Sequence, residues 1–172
     1  MSKLIILRGN SGSGKSTVAR ELVKDTTRKT AIIAGDYYRE HMLFPKGQYG
    51  EALGDLMALN VKYCLDHDFD VIWDSIFFAH ERNRNYLAQI LAKYHPQDNF
   101  IFNFDVSFEE TARRHQTREL RHAFSAEQMR EWYQPVESLG YDFEFTIPET
   151  NSVEQSVTFI RKTVNLKTPS TS

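Results

Sequence analysis

The stretch Gly9-Asn10-Ser11-Gly12-Ser13-Gly14-Lys15-Ser16, residues 9–16, determines how the rest of this chain is interpreted. It matches the pattern G-x-x-x-x-G-K-[ST] at every fixed position. An unbroken apolar run, LIIL at residues 4–7, precedes it and is typical of a strand buried in a parallel sheet. The segment TVARELV at residues 17–23 follows and predicts a helix. We therefore expect a loop whose backbone N–H groups surround an anion at the positive end of that helix.

The residues of this loop, a P-loop, indicate that the anion is the phosphate chain of a nucleotide. Lys15 is expected to reach the β- and γ-phosphates, and the Ser16 hydroxyl is expected to bind Mg²⁺. Glycines in the loop allow its backbone to bend closely around the phosphates. The predicted nucleotide-binding residues are Gly9, Asn10, Ser11, Gly12, Ser13, Gly14, Lys15, Ser16 and Thr17.

The composition of the chain is that of a globular enzyme and excludes several other classes. A length of 172 residues predicts one domain, which we place at residues 1–167, followed by a disordered tail at 168–172. The net charge of −2 does not supply the basic field that non-specific nucleic-acid binding requires. The single cysteine, Cys64, excludes an internal disulfide. No leader precedes Leu4 and no apolar run reaches transmembrane length, so we expect a cytoplasmic protein without a membrane partner.

Apolar runs and helical segments alternate along the whole chain, which predicts an α/β protein with a parallel sheet covered on both faces. Five strands are expected, near 4–7, 30–34, 69–74, 99–105 and 142–148. Helix starts are indicated by three capping boxes, Ser107-x-x-Glu110, Ser125-x-x-Gln128 and Ser152-x-x-Gln155. Ligands of such sheets bind at the carboxyl ends of the strands, so the residues that follow each strand are the candidates for chemistry.

Aspartates occur at three of those strand ends. Asp36, in GDYYRE, is the candidate to accept the proton of a hydroxyl that attacks a γ-phosphate, and it could equally cap the helix that follows. Asp74 ends the apolar run VIWD and is the candidate to hold the shell of a Mg²⁺ ion, or it simply begins a turn. Asp105 fits two interpretations, the sensing of a ligand or the capping of a loop.

An arginine-rich segment follows the fourth strand. Arg114, Arg118 and Arg121 share one face of a predicted helix because they are spaced three to four residues apart. Arginines that close over a γ-phosphoryl group supply fixed positive charge and exclude water, so this helix is a candidate lid. The alternative is a solvated basic face that pairs with neighbouring glutamates.

These motifs together resemble the P-loop small kinases of the zeta-toxin, chloramphenicol-phosphotransferase and polynucleotide-kinase type. The resemblance rests on the P-loop, GDYYRE, Asp74, DVSFEETARRHQTR and FSAEQMREWYQP, and it extends from Leu4 to about Ile160. It implies a three-layer P-loop fold with a five-stranded parallel sheet in the order 2-3-1-4-5 and an arginine-bearing lid. Many relatives carry glutamate at the place of Asp74, so its metal role is the least typical feature.

The resemblance also implies an activity and roles for particular residues. ATP with Mg²⁺ would be the phosphoryl donor, Asp36 the base, and Arg114 and Arg118 the lid arginines, with Lys15 on the phosphates. Asp36, Arg39 and Asp74 are predicted to face the acceptor, and Ser16 and Asp74 to hold the metal. The predicted function is therefore transfer of a γ-phosphoryl group from ATP to the hydroxyl of a small molecule.

Two other functions compete with this prediction. A polynucleotide 5′-hydroxyl kinase is disfavoured by the acidic charge and by Tyr37, which stands where that pattern usually has a second aspartate. A nucleotide-binding switch is disfavoured because no N-K-x-D tetrapeptide occurs. The acceptor site is expected along residues 37–55 and 74–80, with Trp132 and Tyr133 as further candidates. Their aromatic and charged side chains fit sugars, nucleosides and antibiotics equally.

Overall fold

Five parallel strands form the centre of the computed structural model, which describes residues 1–45, 50–76, 87–94, 96–116 and 125–166. The strands are β1 (Leu4–Arg8), β2 (Thr30–Ala34), β3 (Asp70–Ser75), β4 (Asn99–Asp105) and β5 (Glu144–Pro148). Their order in the sheet is β2-β3-β1-β4-β5, and every neighbouring pair is parallel. The predicted fold class and strand order are confirmed.

Helices connect the strands and cover both faces of the sheet. The described helices are α1 (Lys15–Val23), α2 (Gly35–Tyr37, continued by a π-helical turn at Tyr38–Met42), α3 (Gly50–Asp66), α4 (described at 87–91), α5 (Phe108–Gln116), α6 (Ala126–Trp132) and α7 (Val153–Val164), with a 3₁₀ turn at Pro96–Asp98. Within the described ranges, no helix is long and apolar enough to cross a membrane. The predicted tail at 168–172 lies outside those ranges, so the domain bounds stay a prediction.

Strand β1 is buried at all five positions. Its four apolar side chains, at 4–7, enter two separate cores on opposite faces of the sheet. On one face, Ile5 and Leu7 pack with α1 and α7, through residues such as Val18, Leu22 and Ile160. On the other face, Leu4 and Ile6 pack with α3 and α4, through Met57, Val61, Leu87 and Leu91. The result is the predicted three-layer arrangement.

The capping boxes at Ser125 and Ser152 are complete, as their sequence pattern predicts. The one at Ser107 is only half formed. The backbone N–H of Glu110 donates to Ser107 Oγ over 3.3 Å, but the backbone N–H of Ser107 donates to the Glu149 carboxylate over 2.9 Å. The prediction of a reciprocal box was wrong here because the Glu110 carboxylate is held by Arg113 and Arg114 instead.

The parallel register brings the candidate residues to one edge of the sheet. The P-loop follows β1, Asp36 lies just beyond β2, and Asp74 is the second-to-last residue of β3, paired in register with Leu7 of β1 and Ala34 of β2. Because all strands point the same way, these three segments meet at the carboxyl ends, where α/β proteins bind ligands.

Candidate active site

The P-loop adopts a conformation that depends on its glycines at two positions. Gly9 has φ of 146°, and a Cβ there would lie 2.8 Å from the carbonyl oxygen of Phe104 in β4. Gly14 has φ of 101° and stands at the N-terminus of α1, where no side chain provides a cap. Both backbones are in the region that favours glycine. The N-terminus of α1 carries partial positive charge and has no side-chain cap. It faces a cleft at the carboxyl edge of the sheet that the P-loop, Asp36 and Asp74 line.

Lys15 and Ser16 converge with Asp74 at the bottom of this cleft. The Lys15 ammonium is buried and donates hydrogen bonds to the carbonyl oxygen of Asn10 (2.8 Å) and to Ser13 Oγ (3.2 Å). Burial raises the pKa of the Asp74 carboxyl above its ordinary value, against the lowering effects of the Lys15 charge and of a hydrogen bond from the Ser16 hydroxyl. A buried carboxylate, a hydroxyl and an ammonium thus share one small volume.

Asp36 and Arg39 form the outer wall of the same cleft. One guanidinium nitrogen of Arg39 donates to Asp36 Oδ1 over 2.8 Å, and both side chains reach solvent. The pair belongs to α2 and its π-helical continuation, a distortion that is frequent at functional sites. The guanidinium of Arg39 folds back over Gly35, where a Cβ would lie 3.4 Å from its Nη1. Asp36 therefore faces the cleft with one arginine beside it.

Arg114 of α5 extends to the P-loop and makes three described hydrogen bonds. Nε donates to Glu110 Oε1 (2.6 Å), Nη1 to the carbonyl oxygen of Ser13 (2.9 Å) and Nη2 to that of Glu149 (2.8 Å). Its neighbour Arg113 also binds Glu110 but stays in solvent, with a side chain 69% exposed against 25% for Arg114. Of the predicted lid arginines, only Arg114 is described. Arg118 and Arg121 lie in 117–124, outside the described residues.

Asn10 makes a contact that the sequence did not indicate. Its side-chain amide donates to the carbonyl oxygen of Gln134 (2.6 Å) and accepts from the backbone N–H of the same residue (3.0 Å). The predicted role of Asn10 was nucleotide binding, whereas this side chain joins the P-loop to the segment after α6. No local sequence pattern predicts this contact, because Gln134 contributes only backbone groups, which do not depend on the residue type at that position.

A second contact that sequence reasoning missed lies directly under the P-loop. Arg8, the last residue of β1, is buried and donates to Asn103 Oδ1 (3.0 Å) and to the Glu144 carboxylate (3.3 Å). Glu144 also accepts hydrogen bonds from the backbone N–H groups of Leu139 and Gly140. Charged residues inside apolar strands were the available signal, since such residues are rarely buried without partners.

The aromatic candidates Trp132 and Tyr133 lie at the end of α6. Tyr133 Oη donates to the carbonyl oxygen of Val106 (3.1 Å), and its ring meets that of Phe108 edge to face with centroids 5.7 Å apart. Trp132 is 45% exposed. Tyr133 thus packs α6 against α5, and neither aromatic lines the main cleft in the described part of the chain.

Two cavities meet at the P-loop. The main cleft has a volume of about 450 Å³ and is lined by Ser11, Gly12, Gly14, Lys15, Ser16, Gly35, Asp36, Arg39, Asp74, Ser75 and Ile76. A second cavity of about 270 Å³ is lined by Ser13, Gly14, Val18, Phe104, Val106, Arg114, Ile147, Pro148, Asn151, Val153 and Ser156. Gly14 lines both. The main cleft is polar and has charged residues of both signs, whereas the second cavity has mainly apolar walls and one charged residue in its lining, Arg114.

The residues at this edge of the sheet fit a phosphate chain with a divalent cation. The uncapped helix start and the buried Lys15 ammonium suit phosphate oxygens, and a Cβ at Gly14 would enter the space beside Arg114, 3.7 Å from its Nη1. The Ser16 hydroxyl and the Asp74 carboxylate are oxygen ligands of the kind that Mg²⁺ prefers. The roles of the individual residues stay predictions.

Comparisons with known proteins agree with this architecture. A sugar kinase from Janibacter sp. HTCC2649 has a similar structure, with a TM-score of 0.72 and 18% identity over 96% of both chains. The APS kinase of Mycobacterium tuberculosis in complex with AMPPNP and APS has a TM-score of 0.72 and 17% identity, over 95% of this chain and 98% of that one. For a gluconokinase from Sinorhizobium meliloti 1021, the TM-score is 0.62 at 15% identity, over 95% and 91%.

These structural likenesses establish a shared fold with small-molecule kinases. No curated protein matches the chain in sequence. A sequence profile described as AAA domain matches residues 4–139, which is most of the chain and includes the P-loop, Asp36, Asp74 and Arg114. On that match, the chain belongs to the AAA domain family of P-loop proteins.

Proposed function

We propose that this protein is an ATP-dependent kinase that transfers the γ-phosphoryl group of ATP to a hydroxyl of a small molecule. The observation that carries the proposal is the placement of an exposed carboxylate, Asp36, in the same cleft as Ser16 and the buried Lys15 and Asp74. A protein that only binds nucleotide has no need of a proton acceptor at that position. The kinase names of the structurally similar proteins support the same activity.

In this proposal, each of the two cavities binds a different part of ATP. The apolar side chains of Val18, Val106 and Ile147 would hold the nucleoside in the second cavity. The phosphate chain would pass Gly14, which lines both cavities, and its terminal phosphates would meet the Lys15 ammonium in the main cleft. The acceptor would enter from the open side, beside Asp36 and Arg39.

The transfer step follows from this placement. The acceptor hydroxyl gives its proton to the Asp36 carboxylate while its oxygen forms a bond to the γ-phosphorus. The bond between that phosphorus and the β–γ bridging oxygen breaks, and ADP leaves with the electron pair. Lys15 lies in the main cleft, whereas Arg114 lines the second cavity beside Gly14, where the phosphate chain would pass from one cavity to the other. From these two sides, both cations would stabilise the negative charge on the phosphoryl oxygens. Mg²⁺, which Ser16 and Asp74 would hold, supplies further charge neutralisation when it is bound with the nucleotide.

The finer assignments belong to the same proposal. Membership of the zeta-toxin and chloramphenicol-phosphotransferase group is supported by GDYYRE and by the segment around Arg114. Arg39 is proposed to contact the acceptor, since its guanidinium lines the main cleft next to the proposed base.

A screen of hydroxyl-bearing metabolites tests the proposal. The purified chain is incubated with ATP, Mg²⁺ and pools of sugars, nucleosides and antibiotics, and products are detected by the mass gain of one phosphoryl group. Wild-type protein should phosphorylate at least one compound. Lys15→Ala should abolish the product because it removes the cation from the phosphates. Lys24→Ala changes an exposed lysine just beyond the same helix and serves as the control that keeps activity.

The screen has a definite negative outcome. If ATP binds with ordinary affinity, measured by calorimetry, and no pool yields a phosphorylated product, the kinase proposal is refuted and a nucleotide-binding protein without an acceptor is left. Product formation by Lys15→Ala at the wild-type rate would refute the proposed site.

A further inference from the structure

Glu110 is a carboxylate of α5 to which the proposed reaction assigns no role. It lies one turn before Arg114 on α5, and its Oε1 accepts the Arg114 Nε hydrogen bond over 2.6 Å. Residues spaced four apart on a helix lie on the same face, so the pair points together toward the P-loop. Both side chains are largely withdrawn from solvent, with 21% of Glu110 and 25% of Arg114 exposed.

The three hydrogen bonds of Arg114 orient its guanidinium in a defined plane. Its two Nη groups reach backbone carbonyl oxygens on separate segments, Ser13 in the P-loop and Glu149 after β5. Nε, on the remaining edge, is held by Glu110. A planar guanidinium bound along three edges cannot rotate without losing hydrogen bonds. The Glu110 carboxylate is therefore the side-chain partner that sets the angle at which Arg114 approaches the P-loop.

Glu110 is itself held in place and kept ionised. Arg113 binds its two oxygens through Nε (2.7 Å) and Nη2 (2.8 Å) from the solvent side. Hydrogen bonds from Arg113 and Arg114 lower the pKa of Glu110 to about 2, so the carboxylate is charged throughout the neutral range. A row of paired charges, Arg113–Glu110–Arg114, therefore extends from the solvent-exposed surface to the P-loop.

We infer that Glu110 is a positioning residue, which holds Arg114 in the orientation needed to stabilise the transferring phosphoryl group. The inference rests on the proposed kinase activity for its kinetic consequence, but its structural part does not. Preorganised charge acts on the transition state rather than on the bound nucleotide. Loss of Glu110 should therefore lower kcat and leave nucleotide affinity nearly unchanged.

The kinetic test compares Glu110→Ala and Glu110→Gln with the control Glu109→Ala. Glu109 is the adjacent residue, 78% exposed, and approaches only Arg130, at 3.7 Å, among its described ion pairs. Glu110→Ala should reduce kcat by about 10- to 100-fold, the range expected for a misplaced catalytic group, with the KM for ATP changed by less than about threefold. Glu110→Gln keeps an acceptor oxygen and the helix, so it should recover part of the rate. Glu109→Ala should match wild type.

A double-mutant cycle separates positioning from a general structural role. Because Glu110 acts through Arg114, Glu110→Ala should have almost no further effect on kcat in an Arg114→Ala background. If the two losses multiply, or if Glu110→Ala alters only KM, the inference is overturned.

A spectroscopic readout makes the inference independent of the kinase activity. In ¹⁵N NMR of the full chain, the Nε–H signal that disappears in Arg114→Lys identifies Arg114. This signal should exchange slowly with water in wild type and in Glu109→Ala, and rapidly in Glu110→Ala, because the hydrogen bond to the carboxylate is lost. Equal exchange in all three proteins would refute the positioning role. An inactive wild-type protein would refute only the proposed function.

Discussion

Asp36 and Asp74 follow neighbouring strands of one parallel sheet, and the fold gives them opposite environments. Asp36 lies two residues beyond the end of β2, where 77% of its side chain is exposed and Arg39 donates to it over 2.8 Å. Asp74 lies within β3, between the registers of β1 and β2, and only 5% of it is exposed. Their exposure differs because Asp36 lies just beyond the end of its strand, whereas Asp74 lies just before the end of its own.

The difference in exposure suits the two carboxylates to two different chemical tasks. A carboxylate on a short exposed helix can meet an arriving hydroxyl and exchange a proton with it. A carboxylate inside the sheet is surrounded by fixed groups, and burial raises its pKa because the charged form loses its water. We therefore assign proton transfer to Asp36 and the metal shell to Asp74 as proposals, and each assignment predicts a different response to removal of the charge.

Asp36→Asn is the substitution with the largest expected effect on this pair. Asparagine keeps the size and a hydrogen-bond acceptor for Arg39 but is not a base, so phosphoryl transfer should fall by about 10²- to 10⁴-fold. ATP affinity and thermal stability should stay near wild type, since the side chain is exposed. Steady-state transfer assays and calorimetric titration with ATP and Mg²⁺ measure the two effects.

Asp25→Asn is the matched control for Asp36→Asn. Asp25 is also an exposed aspartate paired with an arginine, Arg161, at 3.2 Å, but it lies after α1, outside the cleft lining. It should leave transfer unchanged. A fully active Asp36→Asn protein would remove Asp36 from the mechanism and leave its ion pair with Arg39 as its described role. The predicted alternative, that Asp36 caps the following helix, is wrong, because the N-cap of α2 is Ala34 and Asp36 lies within the helix.

Asp74→Asn should lower activity less than Asp36→Asn does. Unlike Asp36→Asn, it should raise the stability of the folded protein. Loss of the carboxylate should weaken Mg²⁺-dependent nucleotide binding by roughly 10- to 100-fold, the usual range for groups that support a metal site. The raised pKa means that the folded protein binds more protons than the unfolded chain between the ordinary carboxyl pKa and the raised one. Stability is therefore lost as pH rises through that window, and Asn avoids the loss.

Thermal melts at two pH values measure this stability effect. Asp74→Asn should raise Tm relative to wild type at pH 7, and the gain should shrink at acidic pH, where the wild-type carboxyl is protonated in both states. A Tm that falls equally at both pH values would contradict the burial argument. It would show that the attraction of the Lys15 charge and the hydrogen bond from Ser16 outweigh the cost of desolvation.

Arg39→Met tests the partner of the exposed carboxylate and has the smallest expected effect. An exposed ion pair contributes about 0.2–1 kcal/mol, so Tm should change little. Methionine keeps an unbranched side chain but loses the guanidinium that lies over Gly35, and it cannot donate a hydrogen bond. The KM for the acceptor should rise by about tenfold or less, with ATP affinity unchanged. A kcat loss as large as that of Asp36→Asn would instead place Arg39 in the transfer step.

Much of the fold could be predicted because its signals are local. The apolar runs at 30–34 and 99–105 became β2 and β4 with the expected bounds, and two of three capping boxes formed completely. The failure at Ser107 has a tertiary cause. Glu149, 42 residues later, takes the place that Glu110 was expected to fill. A helix-start pattern predicts where a helix begins, but not which distant side chain completes its cap.

The candidate site was predictable in its residue types and less so in its contacts. The spacing placed Arg114, and not its neighbour Arg113, on the face of the lid helix, but it did not indicate the carbonyl oxygens of Ser13 and Glu149 that Arg114 binds. The pattern of the loop predicts that Asn10 binds the nucleotide, which stays a prediction, but it did not indicate that the side chain binds the backbone of Gln134. In both cases the deciding partner is brought close only by folding.

By itself, the sequence determined the P-loop, the parallel sheet and the acids at the strand ends, because each depends on residues a few positions apart. Only the tertiary structure decided which of these groups are buried, paired or aimed at the cleft. The reason is that the hydrogen bonds concerned join distant residues, Arg114 to Ser13 across 101 positions and Gln134 to Asn10 across 124. Burial and charge around a side chain are set by such neighbours, and they decide whether an aspartate at a strand end is exposed, like Asp36, or buried, like Asp74.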